Sequence, residues 1–174
     1  VEPFTVTASA TRYLFDGAGT ANKNLTVQLN TSGNVYVTYG TGTDTVTLTS
    51  SVTIQGDGGN RIGVGWDDTG IVVMLDGQVA ASSLQKPALE FGPNVYIGCS
   101  SSQTNSLDGK LDEFRVSSKK RSAAEFLAAY EAGILGAPLE WDVDTTYLLH
   151  FNGNLDIQCL HAWISPVIDI STAT

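Results

Sequence analysis

The sequence LDGKLDEFRVSSKKRSAAEFLAAYEAG, residues 107–133, decides the fold. Its first part alternates apolar and polar residues, and this alternation predicts a half-buried strand with Leu111, Phe114 and Val116 on its apolar side. Its second part predicts a helix that begins at Ser122, because Ser122 and Glu125 have the S-x-x-E spacing of a reciprocal capping box.

Apolar residues follow this start at helical spacing and predict the buried side of the helix: Phe126, Leu127, Tyr130 and Ile134. Gly133 predicts the end of the helix, since glycine is the residue that most often closes one. The rest of the chain is patterned as strands, so this is the one helix that the sequence predicts.

The strand-like runs are short and are separated by polar turns. Residues 25–29 and 35–39 alternate around a turn and predict a hairpin. Residues 62–80 predict a three-strand meander, in which Trp66 is in phase with the apolar residues and is expected to be buried, and whose Asp76-Gly77 turn suits type I′ geometry. Further runs lie at residues 2–10, 12–15, 46–54, 94–98, 146–151 and 163–169.

Three of these blocks carry a family resemblance. The segment Gly109, Leu111 and Asp112-Glu113-Phe114-Arg115-Val116, followed by the helix start at 122–125, resembles the closing segment of LamG-like domains. The meander and the strand Asn94-Val-Tyr-Ile-Gly98 resemble two further blocks of that family, in the same order and spacing over about residues 60–135. LamG-like domains are concanavalin A-like sandwiches of the laminin G and pentraxin type, found in phage tail and fibre proteins and in bacterial surface proteins.

The resemblance implies an all-β, two-sheet antiparallel jelly-roll sandwich with one short helix on its C-terminal side. We expect residues 1–135 to form this sandwich. Residues 136–174 are expected to be a linker and extra strands, which either complete the sandwich or start a neighbouring unit.

Charge and composition exclude two classes of partner. The formal net charge is −9, with nine Lys and Arg among 174 residues, whereas a nucleic-acid binder carries a basic face. No apolar run approaches the length of a membrane span, so membrane insertion is not expected, and the sequence contains no signal-peptide pattern.

The two cysteines, Cys99 and Cys159, have two interpretations. We prefer buried free thiols that act as small apolar side chains; a disulfide is the alternative. The two histidines, His150 and His161, form no CxxC or HExxH arrangement with them, so a zinc enzyme is not expected.

The resemblance also implies a structural calcium site. In many concanavalin A-like domains an acidic residue of the closing motif helps to bind Ca²⁺, which implies Asp112 as a ligand with Asp16 and Asn152 as candidate co-ligands. Calcium requires six to eight oxygen ligands, so Asp112 alone does not define a site. The alternative is that Asp112 pairs with Arg115, Lys110 or a backbone N–H.

The function implied by the resemblance is non-catalytic recognition of a glycan or a host cell surface, by a domain located outside the cell or on a virion. Polar loop residues are the candidate ligand contacts: Asn22, Asn24, Asp67, Asp68, Gln103 and Asn105. Other virion or fibre subunits are further candidate partners, and a homo-oligomer is left open.

Two other functions compete with this one. The first is a structural or decoration domain of a phage capsid or tail, which contacts protein neighbours. The second is a glycan hydrolase, since Glu140, Asp142 and Asp144 have the period-two spacing that places three carboxylates on one face of a strand. We favour a solvated acidic linker for this segment and expect no enzyme.

Overall fold

A computed structural model describes residues 10–54, 59–107 and 109–149, together with the backbone of 160–163. The predicted strand at residues 2–10 and most of the predicted strand at 163–169 lie outside the described residues. The strands are β1 Arg12–Asp16, β2 Leu25–Leu29, β3 Asn34–Gly40, β4 Thr45–Thr53, β5 Ile62–Asp67, β6 Gly70–Leu75, β7 Gln78–Ser83, β8 Asn94–Ile97, β9 Phe114–Ser117, β10 Thr145–Leu149 and β11 Leu160–Trp163. One helix, α1, spans Ala123–Ile134, so the prediction of an all-β sandwich with one helix is confirmed.

One layer of the sandwich is a six-stranded antiparallel sheet in the order β11-β8-β1-β2-β3-β4. The predicted hairpin is confirmed as β2 and β3, whose register places Val27 opposite Val37. Every second residue of this hairpin is buried, and these residues form the inner face of the sheet: Leu25, Val27, Leu29, Val35, Val37 and Tyr39.

The facing layer consists of two sheets, whereas the sequence predicted one. The meander β5-β6-β7 forms a three-stranded sheet, as predicted, and β9 pairs with β10 in a separate two-stranded sheet. The Asp76-Gly77 turn has the positive φ angles of a type I′ turn, 51° and 80°. Phe15 joins the two halves of the core, because its ring contacts Phe91 and stacks on Phe114 with centroids 6.0 Å apart.

The helix α1 lies against the outer side of the three-stranded sheet. Its capping box is confirmed: the Ser122 hydroxyl accepts from the backbone N–H of Glu125, and the Glu125 carboxylate accepts from that of Ser122. A side chain at Gly63 of β5 would collide with the ring of Phe126, so this glycine allows the helix to approach the sheet. Phe126 is the one buried residue of the helix among those described, and Ile134 is 65% exposed, contrary to the prediction that it lies on the buried side.

The end of the helix differs from the prediction. Gly133 lies inside α1, where the guanidinium of Arg61 lies close to its Cα. The helix continues to Ile134, Leu135 is its C-cap, and the residue with positive φ is Gly136, at 81°. The predicted strand in the opening stretch is also shorter than expected: it begins at Phe114, after Glu113 with a φ of 58°.

The chain beyond the helix returns to the sandwich. Strand β10 pairs with β9, and β11 pairs with β8. Ion pairs fix the turn before β10: Arg121 with Asp142 at 2.7 Å, and Lys119 with Asp144 at 2.8 Å. The predicted boundary between domains near residue 135 stays a prediction. None of the helices in the described residues is long and apolar enough to span a membrane.

Candidate functional site

The outer face of the six-stranded sheet is a polar surface that crosses several strands. Residues that face away from the core form two rows, because neighbouring strands bring alternate residues into register. One row crosses β8, β1, β2, β3 and β4 and consists of Tyr96, Asp16, Thr26, Thr38 and Thr47. The other crosses β1 to β4 and consists of Tyr13, Gln28, Tyr36 and Thr49.

A β-bulge in β1 places Tyr13 and Asp16 on this same face. Residues three apart in a regular strand point to opposite faces, but the register of β1 against β2 shifts between Tyr13 and Phe15. Leu14 and Phe15 accordingly both pack against the core. Burial raises the pKa of the Tyr13 hydroxyl, and the nearby Asp16 carboxylate raises this pKa further, which agrees with a shared face.

The rest of the face is neutral and rich in hydroxyl groups. The Gln28 amide donates to the Thr26 hydroxyl at 3.2 Å, and the Thr38 and Thr47 hydroxyls lie 2.9 Å apart. Thr47 and Thr49 are exposed, while Gln28, Tyr36 and Thr38 are half-buried. Such a face offers aromatic rings for stacking together with donors and acceptors for the hydroxyl groups of a ligand.

Asp16 attaches a loop to the edge of this face. Its side chain is buried, and its two carboxylate oxygens accept from the backbone N–H groups of Ala18 at 2.9 Å and Ser101 at 2.7 Å. The backbone N–H of Tyr13 donates to the carbonyl of Asn105 at 3.0 Å. The loop of residues 98–107 is therefore bonded to β1 at two points and borders the face.

Two of the six predicted ligand residues lie on this loop. Gln103 and Asn105 are both exposed, and both have left-handed backbones with φ of 57° and 52°. Left-handed backbone at a residue other than glycine is uncommon and is concentrated at functional loops. The structure thus brings Gln103 and Asn105 to the border of the polar face.

Asn22 and Asn24 have a different environment. The Asn22 amide donates to the carbonyl of Thr43 at 2.6 Å, and the carbonyl of Asn24 accepts from the N–H of Gly40 at 2.9 Å. These bonds join the β1–β2 loop to the end of β3 and to the β3–β4 turn, through the side chain of Asn22 and the backbone of Asn24.

Asp67 and Asp68 lie in the β5–β6 turn. The Asp67 carboxylate accepts from the hydroxyl of Thr69 at 2.6 Å and from its N–H at 2.8 Å, and it pairs with Lys120 at 3.2 Å. The hydrogen bond from the Thr69 hydroxyl is the main reason that the pKa of Asp67 lies below its usual value. Asp68 forms an ion pair with Lys86.

The predicted calcium ligands do not form a set in the part of the chain that the structure describes. The Asp16 carboxylate already accepts hydrogen bonds from two N–H groups, Asp112 is exposed, and Asn152 lies outside the described residues. Among residues 10–54, 59–107 and 109–149, no group of three or more His, Cys, Asp or Glu side chains is placed to hold a metal ion. Calcium binding stays a prediction, with Asp112 as its one exposed ligand.

The acidic segment at 140–144 lacks the geometry on which the hydrolase interpretation depends. Residues 140–144 precede β10 and form no strand, so their carboxylates do not share a sheet face. Asp142 accepts from Arg121 and from the Thr145 hydroxyl, both at 2.7 Å, and the bond from Arg121 is the main reason that the pKa of Asp142 is strongly lowered. Asp142 and Asp144, which pairs with Lys119, hold the turn before β10.

The structure also corrects the interpretation of Cys99 as a free thiol. Cys99 is fully buried and disulfide-bonded. Cys159 is the one other cysteine in the sequence and lies outside the described residues.

Asp16 was predicted as a calcium ligand, but the other residues of the polar face were not among the six predicted ligand contacts, although a signal for them exists. In LTVQL, VYVTY and TVTLT the apolar positions predict the core, and the polar positions between them therefore predict the outer face. The alternation does not predict how these three segments pair, and it is their pairing that aligns the polar residues into rows.

An antiparallel sandwich with a polar, loop-bordered sheet face has the architecture of the lectin-like β-sandwiches. The chain belongs to the concanavalin A-like lectin/glucanases superfamily, since a laminin G family model of that description matches residues 1–126. The resemblance to LamG-like domains is thereby confirmed.

A comparison with solved structures matches the chain to an S-layer domain-containing protein (residues 221–444) from Clostridium thermocellum ATCC 27405. It is 18% identical, the match covers 71% of this chain and 64% of that one, and the TM-score is 0.37. The chain thus spans less than two thirds of that structure. A comparison with curated proteins gives no match.

Proposed function

We propose that this domain is a non-catalytic recognition module that binds a neutral glycan on the outer face of the six-stranded sheet. The observation that carries the proposal is the pair of registered rows, in which tyrosine, threonine and glutamine side chains cross four and five strands. The family, whose description names lectins and glucanases, supports a carbohydrate ligand. We place the domain within a larger protein outside the cell or on a virion.

The dimensions of the face suit an extended oligosaccharide. Strands in a sheet lie about 4.8 Å apart, so a row across five strands is roughly 19 Å long. A ligand of this length meets the tyrosine rings and the hydroxyls of Thr38, Thr47 and Thr49, whereas Thr26 is buried. Because the one acidic residue in the two rows, Asp16, already accepts two N–H donors, the face favours an uncharged sugar.

The arrangement of acidic groups supports binding without hydrolysis. Glycosidases generally use two carboxyl groups on either side of the scissile bond. The two rows contain one carboxylate, Asp16, and it is buried. We therefore propose that the domain holds a glycan and does not cleave it.

A glycan array identifies the ligand, and calorimetry with two variants then tests the site. Tyr36→Ala and Gln103→Ala are each expected to weaken binding about tenfold, since a stacked ring or a buried hydrogen bond contributes about 1–2 kcal/mol. Gln78→Ala, at an exposed position of β7, is the matched control and is expected to bind like the wild type. Equal affinities of all three variants would exclude this face, and binding to no glycan would exclude the function.

The same assay tests two remaining predictions. Repeating it with calcium and with EDTA shows whether a metal ion contributes, and Asp112→Asn is the variant that removes the predicted ligand. Asp68→Ala is expected to leave binding unchanged, because Asp68 lies on the β5–β6 turn and pairs with Lys86. Weaker binding by Asp68→Ala would support the sequence prediction that the meander loops bind the ligand.

A second candidate function is structural, and a specific surface favours it. The segment at the end of α1 and before β10 exposes four large apolar side chains: Ile134 at 65%, Leu135 at 87%, Trp141 at 62% and Val143 at 99%. Exposed apolar clusters mark contacts between proteins. Light scattering over a concentration series tests this function: a stable oligomer that Trp141→Ser dissociates, combined with an empty glycan array, favours a decoration or fibre subunit.

A further inference from the structure

We propose a second ligand site, for an oxyanion group, on the outward side of β9: Arg115 is its centre, Arg61 and Arg121 flank it, and its ligand is a sulfate, a phosphate or a carboxylate. This site is separate from the neutral face of the six-stranded sheet and does not depend on the glycan proposal. Arg115 points away from the core, has two basic neighbours, and lies near acidic residues that already have other partners.

The strand β9 sets the direction of Arg115. Phe114, the preceding residue, packs against a second core cluster around Val95 and Ile97, so Arg115 and Ser117 point to the opposite side of the strand. The Arg121 guanidinium lies on that same side, because its Nε donates to the Ser117 hydroxyl at 2.8 Å. The side chain of Arg121 is 11% exposed, and its charge is paired with Asp142 at 2.7 Å.

Arg61 approaches from the direction of the helix. Its Nη1 donates to the carbonyl of Ala129 at 2.6 Å, on the inward side of α1. Burial is the main reason that the pKa of Arg115 lies below its usual value; the charges of Arg121 and Arg61 lower this pKa further, whereas those of Asp142 and Glu125 raise it. Since Arg121 is paired with Asp142 and Glu113 lies near Arg61, the charge open to an anion is that of Arg115 itself.

The acidic neighbours of Arg115 form hydrogen bonds and ion pairs with other residues. Asp142 accepts from Arg121, Thr145 and the backbone N–H of Asp144. Glu125 accepts from Ser122 and pairs with Lys119 at 3.0 Å.

Arg115 is half-buried, and within the described ranges it forms neither a hydrogen bond nor an ion pair. Five N–H donors in a fixed planar fork are therefore available. Such a fork matches the two oxygens of a carboxylate, sulfate or phosphate.

The size of the ligand group follows from the surrounding charge. The chain has a net charge of −9, which repels a long polyanion, whereas a single oxyanion is neutralised within the cluster. Two sources share this chemistry: a free inorganic anion and the acidic group of a sugar or a protein side chain. Inorganic sulfate and glucuronic acid are the probes that distinguish them.

Calorimetric titration with sodium sulfate, and separately with sodium glucuronate, tests the site at constant ionic strength set with sodium chloride. The wild type is expected to bind at least one of the two, and Arg115→Gln to bind it about tenfold more weakly, which corresponds to one charge-assisted bidentate contact. Lys86→Gln, at an exposed ion pair on another surface, is the matched control with the same change of charge.

Equal affinities of Arg115→Gln and Lys86→Gln for the anion, or the absence of a heat of binding with either probe, would overturn the proposal. Should Arg115→Gln fail to fold, Arg115→Lys keeps the charge and removes the fork, and it is expected to bind several-fold more weakly than the wild type. A neutral glycan identified on the array should bind Arg115→Gln unchanged, so failure of one site is distinguishable from failure of the other.

Discussion

Asp16 is the single residue on which the candidate face most depends. Its buried carboxylate accepts from the N–H groups of Ala18 and Ser101 and so joins β1 to the loop 98–107. In Asp16→Asn, one oxygen becomes an amide nitrogen that faces an N–H donor. We expect the free energy of unfolding to fall by about 1–3 kcal/mol, measured by urea denaturation.

Asp112→Asn is the control for this variant, because Asp112 is acidic but exposed, and we expect it to change stability by less than about 0.5 kcal/mol. If both variants are equally stable, the carboxylate of Asp16 does not hold the loop. A normal stability of Asp16→Asn together with lost calcium binding would restore its predicted role as a metal ligand.

The sequence identified Asp16 as a residue of interest but could not supply its partners. The contact with Ser101 spans 85 positions in the chain, and no local pattern encodes it. The same holds for Arg121 and Asp142, whose pairing shows why the period-two acids at 140–144 belong to a turn. The outer positions of β2 and β3 were accessible to prediction, since strict alternation assigns each residue to one face.

The helix α1 shows which features of an element can be predicted from a few neighbouring residues and which cannot. Its start was predicted correctly because a capping box involves four consecutive residues. Its end was not, because Gly133 lies inside the helix beside the side chain of Arg61 and does not have the backbone of a C-cap. The apolar spacing also predicted too wide a buried side, since only part of α1 rests on the sheet.

The capping box makes the stability of α1 depend on pH. Hydrogen bonds from the backbone and the hydroxyl of Ser122, followed by the contact with Lys119, lower the pKa of Glu125 from 4.5 to about 2. A lowered pKa in the folded state means that the carboxylate stabilises the fold above the unfolded pKa, and that this contribution is lost as the pH falls through about 2. The difference in stability between the wild type and Glu125→Ala should therefore be constant above about pH 5 and shrink below it.

Chemical denaturation at a series of pH values from 7 to about 2.5 measures this difference. Glu131→Ala, at an exposed position of the same helix, is the control, and its difference from the wild type should vary less with pH. A difference for Glu125→Ala that does not change with pH would mean that the carboxylate contributes nothing beyond its side-chain packing.

The whole molecule combines two core clusters under one six-stranded sheet. Alternation and the family resemblance predicted the sandwich and the meander, because each strand carries its own inner face in its sequence. They did not predict that the second layer divides into β5-β6-β7 and β9-β10. Helix α1 lies between β9 and β10 in the chain, so these two strands are joined by a long connection, and Phe15 contacts aromatic residues of both halves of the core.

The disulfide at Cys99 is the feature that acts on the molecule as a whole. Cys99 is fully buried next to β8, and β8 lies between β1 and β11 in the large sheet. A native disulfide stabilises a domain by about 2–5 kcal/mol, mainly by restricting the unfolded chain. For a domain of this size each kcal/mol changes the melting temperature by about 2–4 °C. Reduction is thus expected to lower the melting temperature by roughly 4–20 °C.

Calorimetric melting with and without a phosphine reductant tests this expectation. The double variant Cys99→Ala, Cys159→Ala is the control: it should melt near the reduced wild type and should not respond to the reductant. An unchanged melting temperature of the reduced wild type, with both thiols shown to be free by alkylation, would mean that packing of Cys99 as an apolar side chain is sufficient. In that case the sandwich would be held by its two core clusters and its strand pairing, without the covalent link.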